Sequence, residues 1–164
     1  IIQVKREIIM TPAIKQCQKF NIPFTLHHYQ HNANAVSYGL EAAEKLAVAS
    51  NRIFKTLVVE TDKKQLVVAI VPVSLQLHFK SMAKNLHCKK VSMADAKRVQ
   101  NTTGYVLGGV SPLGQKQALP TIMDASSLSY ETIFISGGKR GLELEMRHQD
   151  IALLTNASFA AIAC

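Results

Sequence analysis

Two apolar runs separated by a short polar turn constrain this chain more than any other feature. Residues 54–60 and 66–73 are rich in β-branched side chains, and Thr61-Asp62-Lys63-Lys64 lies between them. Runs of this kind, bounded by turn residues, read as two well-buried strands joined as a hairpin. A hairpin in mid-chain argues against a doubly wound parallel sheet, whose strands need long crossovers. Shorter strands are predicted at residues 24–31, 91–93, 121–123, 132–136 and 142–146. Helices are predicted at residues 12–20, 37–48, 77–86, 95–101 and 149–154. The expected fold class is therefore α+β (mixed α/β): a curved, barrel-like mixed sheet with helices on its outside.

The periodicity also assigns faces. Ala13, Ile14, Cys17 and Phe20 recur at helical spacing and give the first helix one apolar side. In the second helix Leu40, Ala43, Leu46 and Ala47 are expected to be buried. On the strand at residues 24–31, Phe24, Leu26 and His28 share one face, and Thr25, His27, Tyr29 and His31 the other. Tyr29 then points away from the Phe24/Leu26 side, as a cleft-lining residue would.

A chain of 164 residues, 48% hydrophobic, supports one domain with a real core. That domain is expected to span residues 10–164, with Met10 as a natural start and Thr11-Pro12 as the cap and first residue of a helix. Residues 1–9 read as an upstream extension or a cloning remnant. No run reaches the roughly 18 apolar residues of a membrane helix, so no membrane partner is expected. Cys17, Cys88 and Cys164 are few, odd in number and far apart. That excludes a disulfide framework or zinc ribbon and suits a reducing cytoplasm. The net charge of +8 favours a polyanionic partner, and a nucleic-acid backbone is the commonest.

Phosphate-loop, dinucleotide, nucleophile-elbow and H-E-x-x-H signatures are all missing. His27 and His31 share a strand face but lack a third ligand, so neither a metal nor a cofactor is expected. Four other features carry chemistry together. Lys55 opens an apolar strand in Phe54-Lys55-Thr56-Leu57, where an ammonium can reach a phosphate or carbonyl; alone it would read as a snorkelling strand-end lysine. The segment at residues 103–114, with Gly104, Gly108, Gly109 and Gly114, could offer backbone amides to an oxyanion. Ser136-Gly137-Gly138-Lys139-Arg140-Gly141 reads as a glycine nest flanked by positive charge, suited to a phosphate. Lys80, Lys84, Lys89, Lys90, Lys97 and Arg98 could form a basic face that steers RNA.

At these segments the sequence resembles the YbaK family of bacterial Cys-tRNA(Pro)/Cys-tRNA(Cys) deacylases, the prolyl-tRNA synthetase-associated editing domains. Eight motifs match in order. They include Met10-Thr11-Pro12-Ala13, Phe54-Lys55-Thr56-Leu57, Thr103-Gly104-Tyr105, the segment from Gly108 through Pro112 to Lys116, and Ser136-Gly137-Gly138-Lys139-Arg140-Gly141-Leu142. The resemblance implies a freestanding enzyme that deacylates Cys-tRNA(Pro) in trans, with tRNA and prolyl-tRNA synthetase as partners. It implies Lys55 as the essential lysine, Gly108 and Gly109 as oxyanion donors, and Gly108 and Pro112 as the ends of a G-x-x-x-P loop. Tyr29, Thr56, Ser136, Gly137, Gly138 and Glu143 would contact the substrate, and Lys80, Lys84, Lys89, Lys90, Lys139 and Arg140 the tRNA. The family mechanism needs no protein nucleophile, because the substrate's own thiol attacks its ester.

Three positions depart from the family pattern. Glu143 stands where aspartate is usual, Leu75 where glycine is frequent, and Ala118 where a basic residue is frequent. The alternatives are a deacylase for another mischarged tRNA, such as Ala-tRNA(Pro), and a non-catalytic tRNA- or synthetase-binding module. Retention of Lys55 and of both glycine segments favours an enzyme.

Overall fold

The computed structural model describes residues 10–164, so the reading of residues 1–9 lies outside the described residues. The order of elements is α1 (Pro12–Lys19), β1 (Thr25–His28), α2 (Tyr38–Leu46), β2 (Phe54–Thr61), β3 (Leu66–Pro72) and α3 (Phe79–Asn85). Then follow β4 (Val91–Met93), α4 (Ala96–Thr103), β5 (Thr121–Asp124), β6 (Thr132–Lys139), β7 (Leu142–Arg147), α5 (His148–Thr155) and β8 (Ser158–Ala160).

The strands form two sheets, one three-stranded with order β1-β7-β6 and one five-stranded with order β4-β2-β3-β5-β8. The central hairpin is present: β2 and β3 pair antiparallel from Phe54↔Pro72 to Glu60↔Leu66. The pairings β3–β5 and β5–β8 are parallel, so the larger sheet is mixed. The class is mixed α/β as expected, but no closed barrel forms among the described residues. The sheets touch edge to edge only at one parallel bridge, Ile53↔Phe134, and β4 pairs with β2 only at residues 59–61. Among the described residues, the outer edge of β2 from Phe54 to Leu57 therefore has no ladder pairing beyond that bridge.

Alternation along the strands explains the layers. Phe54, Val58, Val68, Ile70 and Met123 of the large sheet face Ile133, Ile135, Leu144 and Met146 of the small one, with α1 closing the same core. Val59, Val67, Ala69 and Val71 face the other way and pack on Leu77, Met82 and Ala83 of the α3 region. At the seam between the sheets, Ala42 and Ala43 of α2 pack on Ile53, Val73 and Phe134.

Local signals fix the helix ends. The Thr11 hydroxyl accepts from the Ile14 amide, with Pro12 as the first helical residue. Ser37 caps α2 and Asp95 caps α4, which ends on Gly104 at φ +84. Three readings of the sequence need correcting. Phe20, expected on the apolar side of the first helix, is its exposed C-cap. Ala43 is buried as expected, but Leu40 and Ala47 are exposed, and α2 buries Glu41 and Ala42 in their place. The strand expected to reach residue 31 ends at His28, after which the Tyr29 amide donates to Gly141 O. The last strand, β8, gave no sequence signal. It is three residues long, and its register comes from β5 and from Asp124, whose carboxylate accepts the Ile162 and Ala163 amides. Leu75 sits in a turn without positive φ among the described residues, so a side chain is tolerated there.

Candidate active site

A cavity of about 310 Å³ opens at the seam, beneath α2 and beside the unpaired start of β2. Of the residues singled out from the sequence, Tyr29, Lys55, Thr56, Gly108, Ser136 and Glu143 line it. They come from five separate chain segments, which the register explains. Ser136 and Glu143 are direct partners across β6–β7, and His27 pairs with Glu143 across β1–β7. The walls are Ile53, Phe54, Leu57, Val73 and Val110, and the rim is Val36, Tyr38 and Leu107. Tyr38 was missed because an aromatic residue just inside a capped helix looks like ordinary packing. Its place at the rim depends on where α2 docks.

The electrostatics suit a substrate of mixed character. Glu143 is buried, no charged group compensates it, and burial pushes its carboxyl up to about 8. It is therefore mostly neutral at pH 7. Burial lowers the Lys55 ammonium from its usual range, and no carboxylate pairs with it among the described residues. Tyr29 is pushed up to about 12 by burial and by Glu143. The Thr56 hydroxyl is buried without a hydrogen-bond partner among the described residues. Buried polar atoms are nearly always satisfied, so an orphaned one in a cavity wall marks a place for a ligand atom.

Other expected site residues lie elsewhere. Gly109 does not line the cavity, and its amide donates to Val106 O at 3.0 Å, closing a turn. Of the two glycines expected to hold an oxyanion, Gly108 alone faces the cavity. Pro112 is buried and borders a separate small hollow with Gln16 and Gly114. The glycine nest is a β-bulge between Ser136 and Lys139 that packs inward. The Gly137 carbonyl accepts from the Thr11 hydroxyl, the Gly138 amide donates to Ser136 Oγ, and Gly138 lies against Tyr105.

The expected basic face divides in the same way. Lys89 and Lys90 dock through their amides on Asp62, beyond the far end of β2. Seven residue steps, six of them along β2, separate Asp62 from Lys55, roughly 20 Å. Arg98 pairs with Glu60 and donates to Lys64 O, and Lys84 borders a hollow formed by α3 residues and Ala161. Lys139 is exposed at the β6–β7 turn, where its backbone lies against Gly109 at the cavity mouth. The Arg140 guanidinium is not open to solvent on both faces, because it stacks on Tyr38. His27 and His31 are held apart, His27 by Glu145 at 3.0 Å and His31 by Glu41 at 2.8 Å.

The sequence profile of the aminoacyl-tRNA editing domain matches residues 34–154, the stretch that supplies most of this cavity. The chain belongs to the aminoacyl-tRNA editing domain family. Among relatives of this editing domain, EbsC of Enterococcus faecalis, named for Cys-tRNA(Pro)/Cys-tRNA(Cys) deacylation, is 36% identical over 93% of this chain and 92% of its own. The proline--tRNA ligase of Moorella thermoacetica is 33% identical over 58% of this chain, which corresponds to only 16% of the ligase. A crystal structure described as that of a trans-editing enzyme for prolyl tRNA synthetase superposes with a TM-score of 0.78. It is 20% identical and covers 95% of this chain and 99% of that one, so it supports the fold alone. No helix among the described residues is long and apolar enough to cross a membrane.

Proposed function

We propose that this editing domain cleaves the ester of a mischarged Cys-tRNA(Pro), acting in trans on tRNA in the company of prolyl-tRNA synthetase. The observation that carries the reading is the composition of the cavity. Among the described residues it holds one unpaired ammonium, one neutral carboxyl, one orphaned threonine hydroxyl and the backbone of Gly108 within largely apolar walls, and neither histidine nor cysteine is among its lining residues. Such a site binds and orients an ester well but supplies no conventional nucleophile–base pair.

The substrate can provide the missing nucleophile. The cysteinyl sulfur attacks its own ester carbonyl carbon, a cyclic thioester forms, and the bond to the ribose oxygen breaks. The thiol proton leaves with the tRNA hydroxyl. Holding the sulfur in attack geometry supplies several kcal/mol of the barrier. The Gly108 amide faces the carbonyl oxygen as charge develops there, Lys55 anchors the ribose or phosphate of the terminal nucleotide, and the aminoacyl group lies toward Ser136 and Glu143.

A deacylation assay with Cys-, Ser- and Ala-charged tRNA(Pro) tests this reading. The Cys ester should turn over at least tenfold faster than the others, and Lys55→Ala should lose most of that rate. Equal rates on all three substrates would defeat the thiol-assisted step. Selective cleavage of the Ala ester would move the assignment to an Ala-tRNA(Pro) deacylase. Inactivity on every substrate would favour a binding module.

A further inference from the structure

Arg140 belongs to the glycine-rich turn between β6 and β7, where positive charge reads at first as an RNA contact. Its surroundings assign it a different task. The guanidinium carbon lies 4.0 Å from the centroid of the Tyr38 ring, a stacked cation–π contact. Nη2 donates to Leu107 O at 3.0 Å. Gly108 lies against the edge of this stack, where an added Cβ would come within 2.5 Å of Nε, 2.8 Å of Nη2 and 2.8 Å of Tyr38 Cε2. Nε is buried and has no acceptor. The guanidinium thus fills the space between the start of α2 and the loop that carries Gly108. Tyr38, Leu107 and Gly108 all line the cavity, whereas Arg140 does not.

We propose that Arg140 is a positioning residue: stacked on Tyr38 and bonded to Leu107 O, it holds the Gly108 amide at the cavity mouth in the orientation the reacting ester needs. This rests on the deacylase reading of the cavity and assigns how one of its donors is oriented. Gly108 has φ +86. It lies in no regular element, the Gly109 amide bonds within the loop to Val106 O, and Gly109 packs on the Lys139 backbone. The Leu107 carbonyl and the Gly108 amide belong to one peptide group, so the arginine that binds the carbonyl also orients the amide. The planar fork matters here, since a lysine would keep the charge but could neither stack flat nor fit the slot above the glycine. Tyr38 is steadied in turn by the His31 ring at 5.5 Å, and His31 is fixed by Glu41.

Three measurements on Arg140→Ala, Arg140→Lys, Tyr38→Phe and Tyr38→Leu decide the matter. They are single-turnover deacylation at saturating protein, the Kd for tRNA across salt concentrations, and amide exchange over residues 106–110. Arg140→Ala should slow the saturated rate by about tenfold or more. It should leave Kd and its salt slope within about twofold and speed exchange at Gly109, whose amide is bonded to Val106 O. Arg140→Lys should fail to restore the rate. Tyr38→Phe, which keeps the stacking ring, should slow it less than Tyr38→Leu does, and Tyr38→Leu combined with Arg140→Ala should be no slower than the slower single variant. A normal saturated rate with weaker, less salt-dependent binding would make Arg140 a phosphate contact and overturn the proposal. Full rescue by lysine, or unchanged exchange over residues 106–110, would overturn it too. The exchange result stands even if no charged tRNA is cleaved, whereas an inactive parent protein would sink only the deacylase reading.

Discussion

Replacing Glu143 by glutamine should flatten a pH dependence that the wild-type protein carries. Burial raises this carboxyl from its ordinary 4.5 to about 8. Below pH 4.5 both folded and unfolded chains hold the proton. Between pH 4.5 and about 8 the unfolded chain releases it while the folded chain keeps it. The unfolded state then binds fewer protons, so stability is lost as pH rises, by about 1.4 kcal/mol per unit for this one group. Across the window the loss is on the order of 5 kcal/mol, levelling off above the folded value. Glutamine fills nearly the same volume and cannot ionise. Urea denaturation of both proteins at pH 5, 6, 7 and 8 cancels every other titrating group in the difference between them. The glutamine variant should gain on the wild type by about 1.4 kcal/mol per pH unit across that range. A difference that stays constant would mean that Glu143 ionises as an exposed carboxyl does, and the reasoning about a dry, neutral acid in the cavity would fail. In the deacylation assay, wild-type activity should change as pH rises through about 8, and the variant's profile should lack that inflection.

Further outcomes follow from other contacts. Gly114 has φ +66 and packs on the Pro12 backbone, where an added Cβ would overlap the carbonyl. Gly114→Ala should cost roughly 2–5 kcal/mol in urea unfolding, and a loss below 1 would show that the loop relaxes freely. Asp124→Ala leaves the Ile162 and Ala163 amides without their acceptor and should cost about 2–4 kcal/mol, with faster proteolysis at the C-terminal end. Lys139→Ala, at the cavity mouth, should lower the salt slope of tRNA binding by about one, while Lys89→Ala with Lys90→Ala should leave it unchanged. An equal drop from both would show RNA reaching the far end of β2.

The sequence alone determined what is local or periodic. The β2–β3 hairpin, the Thr11-Pro12 start of α1 and the buried Cys17 follow from turn chemistry and apolar spacing. The motif resemblance led to the editing family and to Tyr29, Lys55, Thr56, Gly108, Ser136 and Glu143 as site residues, all of which line one cavity. What the tertiary structure decided is which groups remain free to act. A glycine-rich string reads as available amides, but Val106 takes the Gly109 amide and the Ser136 hydroxyl takes that of Gly138, leaving Gly108 exposed to the cavity. A string of positive charges reads as one RNA face, but the fold carries Lys89 and Lys90 to the far end of β2 in the five-stranded sheet and Lys139 to the β6–β7 turn of the three-stranded one. Charge and residue type are written in the chain; whether a hydrogen-bonding group is already satisfied depends on neighbours distant in sequence, and folding alone supplies those.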